Sequence, residues 1–425
     1  MKIVILLIIK LQFFCFYCIM RQNRCFFGSI FLSPRKFRFQ DFMPKNLFIT
    51  TIFPPSTGGI ELCLHNIIKK LPKGEAVVLT QQARASEIFD KAQDYQIFRT
   101  RLESFYFRPK WLLSPVSVLK IVWKARPELI QASHGFASYF SAWCLKKFFG
   151  IPYFVWAYGL DILSMRKSAL MRFLVKMIYK DAEAGIANSN FTKKEMVKAG
   201  IDREKVFVVY PGVDSKKFSP RPVPKAIYKK YNLPADRKIL LSVSRLVARK
   251  GFDLVIQALP QILEKFPNAV YVLGGRGPDE ARLKSLVSRA SGKVQSAVRF
   301  IGFVDEQDLP DLYSSAEIFL MPSRQINEDV EGFGMVFLEA NACLCPVIGG
   351  KSGGIAEAIA DGETGFLVNP KDPADLAEKV NALLSDPELA KKMGERGRQR
   401  VVNEFGWEKI TGGFREAIGK YESKI

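Results

Sequence analysis

Short apolar runs that end in glycine turns and lead into helical patterns recur along this chain. That alternation limits the folds open to it more than any other feature. Residues 47–53 form a β-rich apolar run, followed by Pro54-Pro55-Ser56-Thr57-Gly58-Gly59 and then by 60–71, whose apolar positions fit a helix. Further strands are expected at 76–80, 95–99, 129–132, 153–157, 185–188 and 206–210. Residues 220–237, rich in Pro, Lys and Tyr and weakly periodic, read as a linker. A second alternation starts at 238–243 and continues through 269–273, 298–301, 318–321, 346–349 and 365–368. Strands separated by helices make parallel sheets covered on both faces. The expected class is therefore α/β, with two doubly wound Rossmann-like domains and a cleft between them. Their limits read as 43–219 and 238–405, and a last helix falls in 406–425.

The length of 425 residues suits two domains of ordinary size. The net charge of +21 favours an anionic partner: nucleic acid, anionic lipid or a phosphorylated substrate. No nucleic-acid-binding motif is present. The seven cysteines follow no disulfide framework, and the Cys15/Cys18 pair lacks a second pair or a histidine to complete a zinc site. Reduced thiols and a cytoplasmic body follow. Residues 1–42 stand apart, with an apolar run over 1–20 interrupted by Lys10 and Gln12, then a basic, aromatic piece. One reading is a membrane anchor; the run is short for a span of about 20 residues. The other is that translation starts at Met43, which leads directly into the first strand, and that the preceding residues are an upstream extension of the reading frame.

Candidate chemistry gathers at strand ends, where open α/β sheets bind ligands. Glu331-Gly-Phe-Gly-Met-Val-Phe-Leu-Glu339 carries two carboxylates eight positions apart, flanking a glycine turn and the start of an apolar helix. Amides at Gly332, Phe333 and Gly334, backed by the helix dipole, suit an anion, and the carboxylates suit sugar hydroxyls. The plain alternative is a loop and helix with two solvated acids. Arg245 and Lys250 follow a strand at the mouth of a helix, positioned for charge-assisted contacts to a diphosphate, and Arg276 is a further cation. Gly58-Gly59 lets backbone approach a phosphate, or is simply a tight turn. His134, one of two histidines, ends the 129–132 strand, whereas His65 lies within a helix and reads as packing or surface.

In sequence order, the PPSTGG loop, the ASHG strand end, SxSRLVxRKG, GGRGP, EGFGMVFLEA and GGIAEAIADGETGFLV together resemble glycosyltransferase family 4, the retaining nucleotide-sugar transferases, across residues 47–420. The FPPSTGGIE opening and the VEGFGMVFLEA site are most similar to mannosyltransferases acting on phosphatidylinositol-type lipids. The resemblance implies the GT-B fold, with the last helix returning to the first domain. It implies a metal-independent retaining hexosyltransferase without a cofactor, taking GDP-mannose or a UDP-sugar as donor and a lipid or saccharide as acceptor. By the same analogy Arg245 and Lys250 hold the diphosphate, Arg276 adds a cation, and Glu339 bonds the ribose. Glu331 and the Phe333 and Gly334 amides hold the transferred sugar, Gly58 and Gly59 close over the phosphates, and His134 lies at the reacting face. Glu328, Asp329 and Glu331 read as an acidic loop rather than a magnesium site. The protein is expected in the cytoplasm, with the basic first domain resting on an anionic membrane surface. Where relatives often carry His-Gly-x-Asp or His-Gly-x-Glu, this chain has Tyr158-Gly159-Leu160-Asp161, which leaves the acceptor side less defined. The alternative on the same scaffold is a sugar-nucleotide isomerase or a phosphorylase.

Overall fold

The computed structural model describes residues 45–423, apart from 57, 104–108, 166–167 and 235, and contains two parallel sheets. The readings of residues 1–42 and of Met43 lie outside the described residues. The first sheet is built from β1 (Asn46–Thr50), β2 (Ala76–Gln81), β3 (Gln96–Thr100), β4 (Leu129–Ala132), β5 (Tyr153–Ala157), β6 (Ala184–Ala187) and β7 (Val206–Val208). Its order is β3-β2-β1-β4-β5-β6-β7. The second comprises β8 (Lys238–Val243), β9 (Ala269–Gly274), β10 (Val298–Gly302), β11 (Ile318–Met321), β12 (Val347–Gly350) and β13 (Gly365–Val368), in the order β10-β9-β8-β11-β12-β13. Strands buried on both faces need no polar alternation. Leu47, Phe48 and Ile49 of β1 and Leu240 and Leu241 of β8 are accordingly all buried. Each such side chain removed from water contributes about 1.5–3 kcal/mol. Both sheets reverse their order beside the first strand, between β1 and β4 and between β8 and β11. Connections diverge there and leave a crevice at the carboxyl ends.

Residues 220–237, weakly periodic in sequence, hold a six-residue helix, Lys225–Lys230, too short to show a period. Ile227, Tyr231 and Leu233 are buried in the second core. The final helix, Trp407–Glu422, returns to the first sheet. There the Phe414 ring lies 5.1 Å from Trp156 and 6.2 Å from Phe48. The chain thus crosses between the halves twice, and the crossings touch. Val213 N–H donates to the Phe405 carbonyl at 2.8 Å, and Val213 bridges Gly406 in parallel. No helix among the described residues is long and apolar enough to cross a membrane.

Candidate active site

Glu331–Glu339 lies beyond β11 and opens the helix Met335–Ala342. Gly334 precedes that helix at φ 99°, a left-handed conformation that side chains with a Cβ rarely adopt. The turn leaves Glu331 outside the helix and Glu339 on its second turn. Glu331 Oε2 accepts from Lys250 Nζ and from Arg249 Nη1, each at 2.5 Å. Arg249 Nε also reaches Asp329 at 2.8 Å. Burial raises the Glu331 pKa, but Lys250 and Arg249 outweigh it and hold the carboxyl at about 2. Burial in turn lowers the Lys250 ammonium, which Glu331 opposes. The result is a compact group of two cations and two anions. Among the described residues no cluster of three or more His, Cys, Asp or Glu side chains is arranged to hold a metal ion.

Glu339 faces a different setting. The Tyr313 hydroxyl donates to it at 3.0 Å, and it forms no ion pair among the described residues. Burial pushes its carboxyl up to about 7, against the Tyr313 bond and the charge of Lys217. The amides of Gly332, Phe333 and Gly334 donate no hydrogen bond among the described residues. Arg245 and Arg276 leave adjacent strand ends, tied by Leu246 N–H donating to the Arg276 carbonyl at 3.0 Å. Both side chains are exposed. Arg324 N–H donates to the Arg249 carbonyl at 2.8 Å, and its guanidinium bonds buried Asp253 at 2.6 Å. The connection after β11 is therefore fastened to the one after β8.

On the first sheet, His134 follows β4, and its Nδ1 lies 2.9 Å from Thr51 Oγ1. The Glu61 carboxyl folds back over Gly58; a Cβ there would lie 2.3 Å from Glu61 Oε2. Burial raises the Glu61 pKa, and the nearby His134 opposes the shift. A Cβ on Gly59 would stand 3.4 Å from Met335 Sδ, so the glycine loop of the first half meets the first residue of the second half's site helix. At Gly332 a side chain is excluded, since a Cβ would sit 2.0 Å from the Tyr158 carbonyl oxygen. Asp161 is buried and braces this turn, accepting from Tyr158 N–H at 3.0 Å and the Tyr139 hydroxyl at 2.7 Å. His65 stands apart from the site in an aromatic cluster, 2.6 Å from the Tyr95 hydroxyl, and burial lowers its pKa to about 4.

Glu331, Lys250, Phe333, Gly334, Gly58 and Gly59 are thus brought together at the line between the halves. Arg245 and Arg276 are exposed at adjacent strand ends, Glu339 lies on the helix that follows the elbow, and His134 belongs to the first half. Arg249, Tyr313, Thr51 and Glu61 were not singled out from sequence. Arg249 had a signal, its position beside Lys250, but its direct bond to Glu331 spans 82 residues.

A family model described as "Glycosyltransferase Family 4" matches residues 57–217, and one described as "Glycosyl transferases group 1" matches 225–400. The GDP-mannose-dependent monoacylated alpha-(1-6)-phosphatidylinositol monomannoside mannosyltransferase of Corynebacterium glutamicum is 32% identical over 374 residues, 86% of this chain and 95% of that protein. The GDP-mannose-dependent alpha-(1-6)-phosphatidylinositol monomannoside mannosyltransferase of Mycolicibacterium smegmatis is 34% identical over 252 residues, 59% of this chain and 64% of that one. Among solved structures, Anabaena HepE in complex with UDP superposes with a TM-score of 0.74 at 23% identity, covering 88% of this chain and all of that one. Sucrose-phosphate synthase from Thermosynechococcus elongatus also gives 0.74, at 22% identity and 90% coverage of this chain. These likenesses carry the fold, and it is GT-B. With both halves matched in order and the full-length likeness to the Corynebacterium enzyme, the chain belongs to glycosyltransferase family 4 and is a transferase of sugar from a nucleotide-sugar donor.

Proposed function

We propose that this protein moves mannose from GDP-mannose to a phosphatidylinositol-type lipid acceptor, with retention of anomeric configuration and without a metal ion. Support for the donor and acceptor comes from the mannosyltransferases it resembles. The observation that carries the reading is the ionised Glu331, clasped by Lys250 and Arg249 at a glycine elbow whose amides are uncommitted among the described residues. Arg245, Lys250 and Arg276 neutralise the diphosphate as its charge grows, the electrostatic contribution that usually dominates such transfers. Glu331 and the Phe333 and Gly334 amides hold the mannose hydroxyls, Glu339 holds the ribose, and Gly58 and Gly59 cover the phosphates. His134, oriented through Nδ1 by Thr51, faces the reacting carbon. The bond from the anomeric carbon to the β-phosphate oxygen breaks as an oxocarbenium-like sugar forms. The acceptor oxygen attacks from the same face and gives its proton to the departing phosphate. No carboxylate serves as nucleophile. The first domain, ending near residue 219, receives the acceptor, and the second, from residue 238, holds the donor.

Lipid access has a candidate surface. Trp123, Phe148, Phe149 and Phe173 are exposed on helices that also carry the exposed Lys124, Lys147 and Lys176, residue types suited to anionic headgroups. In this reading the enzyme works at the cytoplasmic membrane face. The test is transfer of labelled sugar from GDP-mannose and, in parallel, UDP-glucose to phosphatidylinositol-type lipid in vesicles, with and without EDTA. The expected outcome is an EDTA-insensitive α-mannoside from GDP-mannose. A β-product, or hydrolysis without any glycoside, would overturn the reading.

A further inference from the structure

Glu357 lies on the short helix Ile355–Ala358 of the second half. Its carboxylate bonds across the cleft to the first half. Oε2 accepts from the Asn190 backbone N–H at 2.7 Å and from Asn190 Nδ2 at 2.8 Å; Oε1 accepts from Phe191 N–H at 2.9 Å. The Tyr210 hydroxyl donates to Oε2 at 3.1 Å. Asn190 and Phe191 open the helix Asn190–Ala199, which follows β6. The first amides of any helix lack partners within it. Ser189 Oγ satisfies only that of Thr192, at 3.0 Å. The two amides before it are met by a carboxylate from the other half, at the positive end of the helix dipole.

The other end of this contact is anchored beside the donor loop. Gly354 N–H donates to the Glu331 carbonyl at 3.0 Å, three residues before Glu357. Arg400 holds the carbonyls of Glu357 and Ala358 at 2.8 and 2.9 Å. The ring of Tyr210 packs 5.5 Å from Phe333, inside the elbow itself. We infer that Glu357 is a positioning residue: by capping the opposite half's helix it fixes the closed setting of the two halves, and through Gly354 and Tyr210 it ties that setting to the loop bearing Glu331 and Phe333. This rests on the cleft being the transfer site. Glu357 touches none of the groups placed on the donor, so it acts on the distance and angle between donor and acceptor walls.

The test uses the full chain with Glu357→Ala and Glu357→Gln. In donor-free protein, amide exchange at Asn190 and Phe191 should rise about tenfold or more in the alanine variant, and scattering should report an expanded particle. In the transfer assay its kcat should fall about tenfold, while the GDP dissociation constant stays within about threefold, because the donor residues are intact. Glu357→Gln keeps one acceptor oxygen without the charge and should fall between, and it carries the comparison if the alanine variant does not fold. Tyr210→Phe removes one bond and should act in the same direction by less. Unchanged exchange and scattering, or a lowered Tm with unchanged kcat, would reduce Glu357 to an ordinary structural contact. The exchange and scattering arms need no donor, so a protein that transferred nothing would sink the proposed reaction and leave this inference standing.

Discussion

Glu331 and Glu339 carry the same side chain on the two sides of one glycine turn, and the fold sets them in opposite electrical surroundings. The loop carrying Glu331 lies against the β8 connection and gathers Lys250 and Arg249, which keep the carboxyl ionised down to about pH 2. Glu339 is on a helix wedged against Tyr313, with one phenol and, among the described residues, no cation bonded to it, and its carboxyl titrates near 7. Motif spacing says where two acids stand along the chain, while neighbours distant in sequence decide what each can do. A permanently charged acid anchors cations and orients hydroxyls. One that titrates near neutrality loses its capacity as a pure acceptor in mild acid.

The contrast is broken most directly at Glu331. Glu331→Gln preserves shape and removes the charge; transfer should drop about 10²–10³-fold. GDP binding, measured by calorimetry, should hold or tighten as Lys250 and Arg249 are released. Normal turnover in this variant would show that the charged acid is not part of the reaction. Arg245 offers the next effect, since among the described residues it forms no ion pair, where Lys250 and Arg249 are committed. Arg245→Ala should weaken GDP binding about 10- to 100-fold, the worth of a charge-assisted bond or two.

The two acids should also bend the stability curve in opposite directions. Glu339 has a folded pKa near 7, above its ordinary 4.5, so the donor-free fold loses stability as pH rises between those values. Glu331 has a folded pKa near 2, below 4.5, so its contribution is complete above 4.5 and is lost as pH falls toward 2. Tm against pH for wild type, Glu339→Gln and Glu331→Gln separates the two slopes. In binding, GDP affinity should rise about severalfold from pH 6 to 8 as Glu339 ionises and accepts the ribose hydroxyls, and Glu339→Gln should flatten that rise. The smallest expected change is at Tyr313→Phe, which removes the one bond favouring the ionised form. It should move the midpoint of that rise upward by less than about one pH unit.

Much of this was legible in the sequence. The strand–glycine–helix alternation gave both sheets, because parallel strands buried on two faces leave uninterrupted apolar runs such as 47–53 and 238–243. The Glu331–Glu339 motif located the elbow. What stayed hidden depends on contacts far apart in the chain. Tyr313 reaches Glu339 across 26 residues, and Glu357 reaches Asn190 across 167. Neither has a local pattern. Residues 220–237 read as a linker because a helix of six residues has less than two turns in which to display a period. Asp161, in the segment that left the acceptor side less defined, has its carboxylate occupied in bracing Tyr158.

The paired crossings at Val213 and Gly406 have a mechanical consequence. A lone peptide connecting two bodies lets them swivel and twist about several axes. Two strands side by side behave as a strip, easy to flex across its width and stiff against torsion. Such a pairing favours opening and shutting, like the covers of a book, over twisting. Removing the final helix would cut one of the two strands and set the bodies free to turn.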